Sequence, residues 1–251
     1  MNKQFQKTTK KVFVFSAHPD DHLCCAGTLM FLKEKGFEIF EIVATGGEKG
    51  SWWVSETKKK RGFKKEELKK ERERELNKAS KIIGISQTSF LGLPDGEVVM
   101  NFKIVEKIIE FIRKEKPALV LTINPIDYHQ DHRELTKIVL EGLTRSSRSF
   151  CSKLGKPYKV PIVLFMEEFP FGKAHFIIDV TPFIKKKKKV FDIYKSQINS
   201  RKKKFLESIN FYRAFLTRND KVWAAESFEI PSEFPVQLNQ LIKFFESNNS
   251  N

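Results

Sequence analysis

Within the first 145 residues, apolar runs of strand length alternate four times with longer segments of helical periodicity. Residues 11–17 (KVFVFSA) alternate and end at a Pro-Asp-Asp turn, the pattern of a buried strand, and 23–35 reads as a helix closed by Gly36. Residues 37–44 form a second predicted strand, 64–83 a highly charged helix, and 88–91 a third strand before a turn at Pro94, Asp95 and Gly96. Residues 101–116 carry Phe102, Val105, Ile108, Ile109 and Ile112 at helical spacing, and Pro117 ends that helix. Residues 118–123 (ALVLTI) are almost continuously apolar, as expected of a strand covered on both faces, and a helix follows over 133–144. Parallel neighbours need crossover connections. Four strand-then-helix units therefore predict an α/β fold, a mainly parallel sheet with helices on both faces.

Beyond residue 150 the pattern changes to an additional C-terminal α/β portion. Residues 160–166 and 175–180 read as strands, with antiparallel pairing open to them, 183–199 and 201–217 as helices, and 222–230 as a final strand. Pro161 argues against a central place for the first of these, since proline cannot donate to a ladder. Residues 1–245 read as one domain and 246–251 as a frayed tail, with no internal repeat and no linker rich in Gly or Ser.

Composition narrows the class. Hydrophobic residues make up 40% of the chain, with 24 Phe, enough for a sizeable core, which excludes disorder for most of it. No apolar stretch approaches the roughly 18 residues of a membrane span. The N-terminal apolar run alternates like a strand and leads into a charged motif, so it reads as mature protein rather than a signal peptide. Three Cys, with Cys24 and Cys25 adjacent, cannot make a disulfide framework, which favours a reducing, cytoplasmic setting. The net charge of +15 invites a nucleic-acid partner, but Lys, Phe, Ile and Asn are abundant together throughout. The basic runs 185–189 and 201–204 accordingly read as solvated faces, with anionic membrane surfaces or nucleotide-linked substrates as the lesser alternatives.

In parallel sheets ligands bind beyond the carboxyl ends of the strands. His18, Asp20 and Asp21 sit at the first such end, followed at once by His22, and His129, Asp131 and His132 sit at the fourth, so that four of the five His of the chain lie in two short segments. Imidazole and carboxylate suit a borderline divalent ion, and a catalytic zinc keeps three protein ligands and one open position. His18, Asp21 and His132 could fill those three places, leaving the fourth for a water of lowered pKa. Asp20 is then free to act as general base, and His129 could donate to a developing oxyanion. Asp131 could orient the His129 imidazole or stand behind the ligands.

Ala17-His18-Pro19-Asp20-Asp21, Thr45-Gly46-Gly47-Glu48, Leu91-Gly92-Leu93-Pro94-Asp95-Gly96 and His129-Gln130-Asp131-His132 resemble, in order and spacing, the successive motifs of the LmbE-like, or PIG-L, family of N-acetylglucosaminyl deacetylases. The resemblance covers roughly the first 145 residues, and is looser at Ile178-Asp179-Val180-Thr181, Lys195-Ser196-Gln197 and Ala225-Glu226-Ser227-Phe228. It implies a Rossmann-like fold and zinc-dependent removal of acetyl from an N-acetylglucosamine unit of a small conjugate, with iron(II) or another divalent ion open. By position it implies that His18, Asp21 and His132 are the metal ligands, Asp20 the general base and His129 the oxyanion-stabilising histidine. It further implies that Glu48, Arg72 and Asp95 line the sugar pocket.

One departure is plain: the family motif usually continues with Glu or a small residue, and here His22 follows Asp21. His22 caps or lines the first helical turn, with a fourth-ligand role as the alternative. Cys24 and Cys25 read as helix packing. Residues 45–63, with four Gly, form a long loop expected to wall the pocket and to order on substrate binding. Its Trp52 and Trp53 could stack on a sugar or pin the loop. Glu167 and Glu168 could reach the pocket rim. Two other functions remain open: the same machinery on another N-acyl group, or a non-catalytic basic protein that binds a polyanion such as nucleic acid.

Overall fold

The computed structural model describes residues 9–50, 64–167 and 173–246. Its strands are β1 (Lys11–Ser16), β2 (Glu38–Thr45), β3 (Gln87–Leu93), β4 (Leu119–Ile123), β5 (Ile162–Met166), β6 (Phe176–Asp179) and β7 (Ala225–Glu229). They form one sheet in the order β3-β2-β1-β4-β5-β7-β6. Strands β1 to β5 run parallel, and β7 runs antiparallel to both β5 and β6. The described helices are α1 (Ala26–Glu34), α2 (Lys65–Ile83), α3 (Phe102–Glu115), α4 (Gln130–Ser146), α5 (Ile184–Phe191), α6 (Ser200–Leu216) and α7 (Leu238–Glu246). None is long and apolar enough to cross a membrane.

The four strand-then-helix units are present as their periodicity predicts. All of β4 is buried, as is β1 after its first residue, so both are central strands covered by helices on each face. From β1 the chain steps outward to β2 and β3, then returns to β4 on the other side of β1. The connections leaving β1 and β4 therefore diverge, and the crevice between them is where a parallel sheet binds ligands.

The C-terminal portion departs from expectation in several places. β5 is an interior strand between β4 and β7, because Pro161 stands just before its first residue and takes no ladder position. It pairs parallel to β4 and antiparallel to β7, and β6 also pairs antiparallel to β7, so the antiparallel pairing open to both segments is present. The helix expected over 183–199 ends at Phe191, since Tyr194 and Ser196 turn inward: Tyr194 is fully buried, and the amide and hydroxyl of Ser196 donate to Glu75 at 2.9 and 2.5 Å. Helix α7 was not foreseen.

The first helix is also shorter than its periodicity suggests. Residues Asp21–Cys24 form a 3-10 turn, and α1 begins at Ala26. Its first turn is closed by Glu226 of β7, whose carboxylate accepts from the amides of Gly27 and Thr28 at 2.9 and 2.7 Å. A side chain at Gly27 would run into Val180, 2.6 Å away, so the close approach of the chain just after β6 to this turn requires glycine. Lys187, the middle lysine of the 185–189 run, is no solvated residue. It is buried and donates to Glu226 at 2.5 Å.

Candidate metal centre and active site

The turn after β1 and the start of α4 bring His18, Asp21 and His132 together. His18 Nδ1 lies 3.1 Å from His132 Nε2, and Asp21 Oδ1 lies 3.6 and 3.5 Å from these two nitrogens. Ligands about 2.0–2.1 Å from a tetrahedral ion stand roughly 3.4 Å apart, so this triangle already has the dimensions of a zinc site. Each donor is aimed from behind. Asp21 Oδ2 accepts from the amides of Ala17 and His18 at 2.7 and 2.8 Å, which turns Oδ1 toward the histidines. His18 Nε2 faces Asp95 and Asp131 at 3.1 and 3.2 Å, and His132 Nδ1 faces Asp127 at 3.0 Å. In each ring the carboxylate takes the N–H and leaves the lone pair of the other nitrogen facing the shared point, the outer-sphere arrangement of metal-binding histidines.

The electrostatics agree with that reading. Burial alone would depress the His18 imidazole, but the charge of Asp21 and hydrogen bonds to Asp131, Asp21 and Asp95 outweigh it and hold its pKa well above the usual value. Burial likewise opposes ionisation of Asp21, yet His132 and His18 hold its carboxyl well below the usual range. The cluster calls for a positive charge at its centre, and its donor set of two imidazoles and a carboxylate fits a divalent zinc or iron(II) ion.

A cavity of about 530 Å³ opens over these donors. Asp20 lines it, with Oδ1 hydrogen-bonded to Arg72 Nη2 and Oδ2 3.3 Å from Lys202 Nζ. Against the cost of burial, Arg72 and then Lys202 hold the Asp20 carboxyl down at about 2. Arg72 also donates to the Gly47 carbonyl at 2.9 Å, and Gly47 has φ +66° with the guanidinium where a Cβ would stand. His129 also lines the cavity, as the N-cap of α4. Its Nδ1 accepts from the Asp131 amide at 3.2 Å, which places the ring proton on Nε2. Burial, then the charges of His18 and His132, push its pKa below the usual value, so the ring stays neutral.

Asp131, Glu48 and Glu167 take positions other than those expected, while His22 lines the first helical turn as its leading reading has it. The carboxylate of Asp131 does not reach His129: it accepts from the amides of Gly96 and Val98 at 2.7 and 3.1 Å and faces His18, and only its backbone amide meets His129. Glu48 accepts from the Asp95 amide at 3.0 Å and is not among the described residues lining the cavity, whereas Asp95 and Arg72 are. His22 is fully buried, its ring nitrogens meet Glu41 and Tyr194, and it does not line the cavity. Glu167 pairs with Arg213 at 2.6 Å, also outside the cavity lining. Residues 51–63, with Trp52 and Trp53, Glu168, and the tail beyond 246 lie outside the described residues.

The structure adds residues to the site. Asp127 holds His132 with one oxygen and accepts the His129 amide at 2.7 Å with the other. Lys202, from a basic run read as solvated, reaches Asp20, and Tyr128, 68% exposed, stands at the cavity mouth with its ring 6.4 Å from that of His129.

Residues 13–143 match the PIG-L family, described as GlcNAc-PI de-N-acetylase. The chain belongs to that family. Among curated proteins, this PIG-L-family chain is similar to the diacetylchitobiose deacetylase of Thermococcus kodakarensis, 26% identical over 200 residues covering 75% of this chain and 70% of that one. Among solved structures it resembles the N,N'-diacetylchitobiose deacetylase of Pyrococcus horikoshii in complex with an inhibitor. That likeness has a TM-score of 0.77 and 23% identity, over 90% of this chain and 85% of that one. A 4-carboxy-2-hydroxymuconate hydratase of Pseudomonas putida shares the fold as closely, with TM-score 0.78 and 18% identity over 88% and 95%. Fold likeness therefore spans different reactions, and the residues of the site have to carry the functional argument. Family membership makes this PIG-L-family chain an enzyme of the deacetylase type.

Proposed function

We propose that the enzyme is a zinc-dependent deacetylase that hydrolyses the acetamide of an N-acetylated amino-sugar conjugate, with iron(II) able to replace zinc. The observation that carries this is the convergence of His18 Nδ1, Asp21 Oδ1 and His132 Nε2 within 3.1–3.6 Å on the floor of a cavity that Asp20 and His129 also line. When bound there, the ion supplies Lewis acidity: it makes water more acidic and polarises the acyl carbonyl. Asp20 stands ionised at neutral pH and accepts the proton of the attacking water. His129, neutral with its proton on Nε2, donates a hydrogen bond to the carbonyl oxygen as negative charge grows there. A C–O bond forms, the C–N bond breaks, and the proton held by Asp20 passes to the leaving amine, giving acetate and a free amino sugar.

Arg72 and Asp95 face the cavity and are assigned to the sugar hydroxyls, with Tyr128 at the mouth offering a ring face to the sugar. Glu48 acts at one remove by holding the Asp95 backbone.

Acetate release from diacetylchitobiose and a small panel of N-acetylglucosamine conjugates tests the reading. Metal-dependent release from at least one supports it. A metal-loaded enzyme that releases no acetate from any, yet hydrates an unsaturated dicarboxylate, would assign the site to the chemistry of the hydratase instead.

A further inference from the structure

His22 is fully buried and does not line the cavity, yet both of its ring nitrogens are engaged. Its Nδ1 lies 2.9 and 3.0 Å from the two oxygens of Glu41, itself fully buried in β2, and its Nε2 lies 3.0 Å from the Tyr194 hydroxyl oxygen. That hydroxyl has one proton, which it donates to the Pro19 carbonyl at 2.8 Å, because a carbonyl can only accept. Nε2 therefore carries hydrogen and donates to the phenol oxygen. The Ser16 hydroxyl donates to Glu41 Oε1 at 2.7 Å, and one further proton lies between Glu41 and Nδ1. The chain of bonds runs from the end of β1 through β2 to the connection behind α5 and closes on Pro19.

Pro19 stands between His18, a metal donor, and Asp20, the proposed base. Lacking an N–H, it offers only its carbonyl as a backbone handle, and Tyr194 takes it. The 18–21 turn is thus held by Asp21 on one side, through the amides of Ala17 and His18, and by Tyr194 on the other. We propose that His22, Glu41 and Tyr194 are positioning residues for the metal centre, and that His22 and Glu41 form a matched pair in which neither can change alone. The inference rests on the metal centre proposed above. It explains why this chain departs from the family motif after Asp21: a glutamate at 22 would face Glu41, setting two buried carboxylates together with no donor between them.

Zinc affinity, measured by competition with a chromophoric chelator, and the split between kcat and KM test it together. Tyr194→Phe keeps the ring and loses the bond to Pro19. It should bind zinc about 10–100-fold more weakly, the usual cost of an outer-sphere partner, with kcat lowered and KM little changed. His22→Glu should lose at least as much, and the exchange His22→Glu with Glu41→His should restore the contact between positions 22 and 41 but not the bond donated to Tyr194, so that its loss falls well short of the sum of the two single losses. Wild-type zinc affinity in folded Tyr194→Phe overturns the proposal, as does an exchange variant whose loss is the sum of the two single losses. Should the exchange variant fail to fold, long-range proton–nitrogen spectra of the unaltered protein still decide: His22 Nε2 must resonate as a protonated nitrogen, and an unprotonated one overturns the hydrogen-bond chain. Absence of zinc binding by the unaltered protein would sink the metal reading instead, a result separable from these.

Discussion

The floor of the cavity and the layer directly beneath it are both built of buried polar side chains, and both contain a histidine braced by a carboxylate. At the floor, His18 and His132 each give one nitrogen to a carboxylate and turn the other toward the same point, 3.1 Å apart. Beneath it, both nitrogens of His22 are consumed, by Glu41 and Tyr194. The nearby Lys187 and Glu226 pair is closed in the same way, its carboxylate taking two amides and an ammonium. A buried polar cluster whose hydrogen bonds close on themselves is scaffold, while one that leaves lone pairs facing each other asks for a cation.

The sharpest way to break this contrast is to take the cation away. Dialysis against a strong chelator should abolish acetate release, and one equivalent of zinc should restore it, while the melting transition of the scaffold persists. Next in size is Asp20→Asn, which should lower kcat by about 10²–10⁴-fold with metal still bound, because only the proton acceptor is lost. Unchanged turnover would remove Asp20 from the mechanism.

The scaffold side of the comparison predicts an effect on stability alone. Lys187→Ala strands a buried carboxylate and should cost about 3–5 kcal/mol in denaturant unfolding, whereas Lys188→Ala, in an exposed pair with Glu207, should cost no more than about 0.5 kcal/mol. Zinc affinity of the folded Lys187→Ala protein should match that of the unaltered chain. Asp127→Ala tests the boundary between the two classes. It removes the carboxylate that holds His132 Nδ1 and should weaken zinc binding by about 10–100-fold, the smallest of the effects expected at the metal centre itself.

Much of this was legible in the sequence where the signal is periodic or local. Apolar runs placed β1 to β4 and hence the crevice, and two short His/Asp segments fell at its edges. Partners that act from a distance in sequence were not legible. Asp127 lies in a loop with no periodicity, five residues before His132, the ring it holds. Lys202 and Lys187 are hidden in basic runs where only the helical phase, fixed by packing, tells a buried lysine from a solvated one. Two signals were available. Glu41 interrupts an otherwise apolar strand, and a carboxylate in a strand covered on both faces needs a buried partner. Arg113 stands on the buried face of α3, where it donates to the carbonyls of Arg145, Ser146, Arg148, Phe150, Cys151 and Gly155, closing the end of α4 and the loop that follows it. The end of the helix expected over 183–199 was beyond reach, because the inward turn of Tyr194 and Ser196 answers to Glu75, Pro19 and His22 rather than to any local preference.

The central claim is that His18, Asp21 and His132 hold one divalent ion. Metal analysis of the purified chain, joined to X-ray absorption at the zinc edge, measures it most directly. The expected result is one zinc per chain with two imidazole nitrogens and at least one carboxylate oxygen at about 2.0–2.2 Å, lost in His132→Ala and retained in His175→Ala. A chain that binds no metal, or one that keeps its zinc without His132, would contradict it.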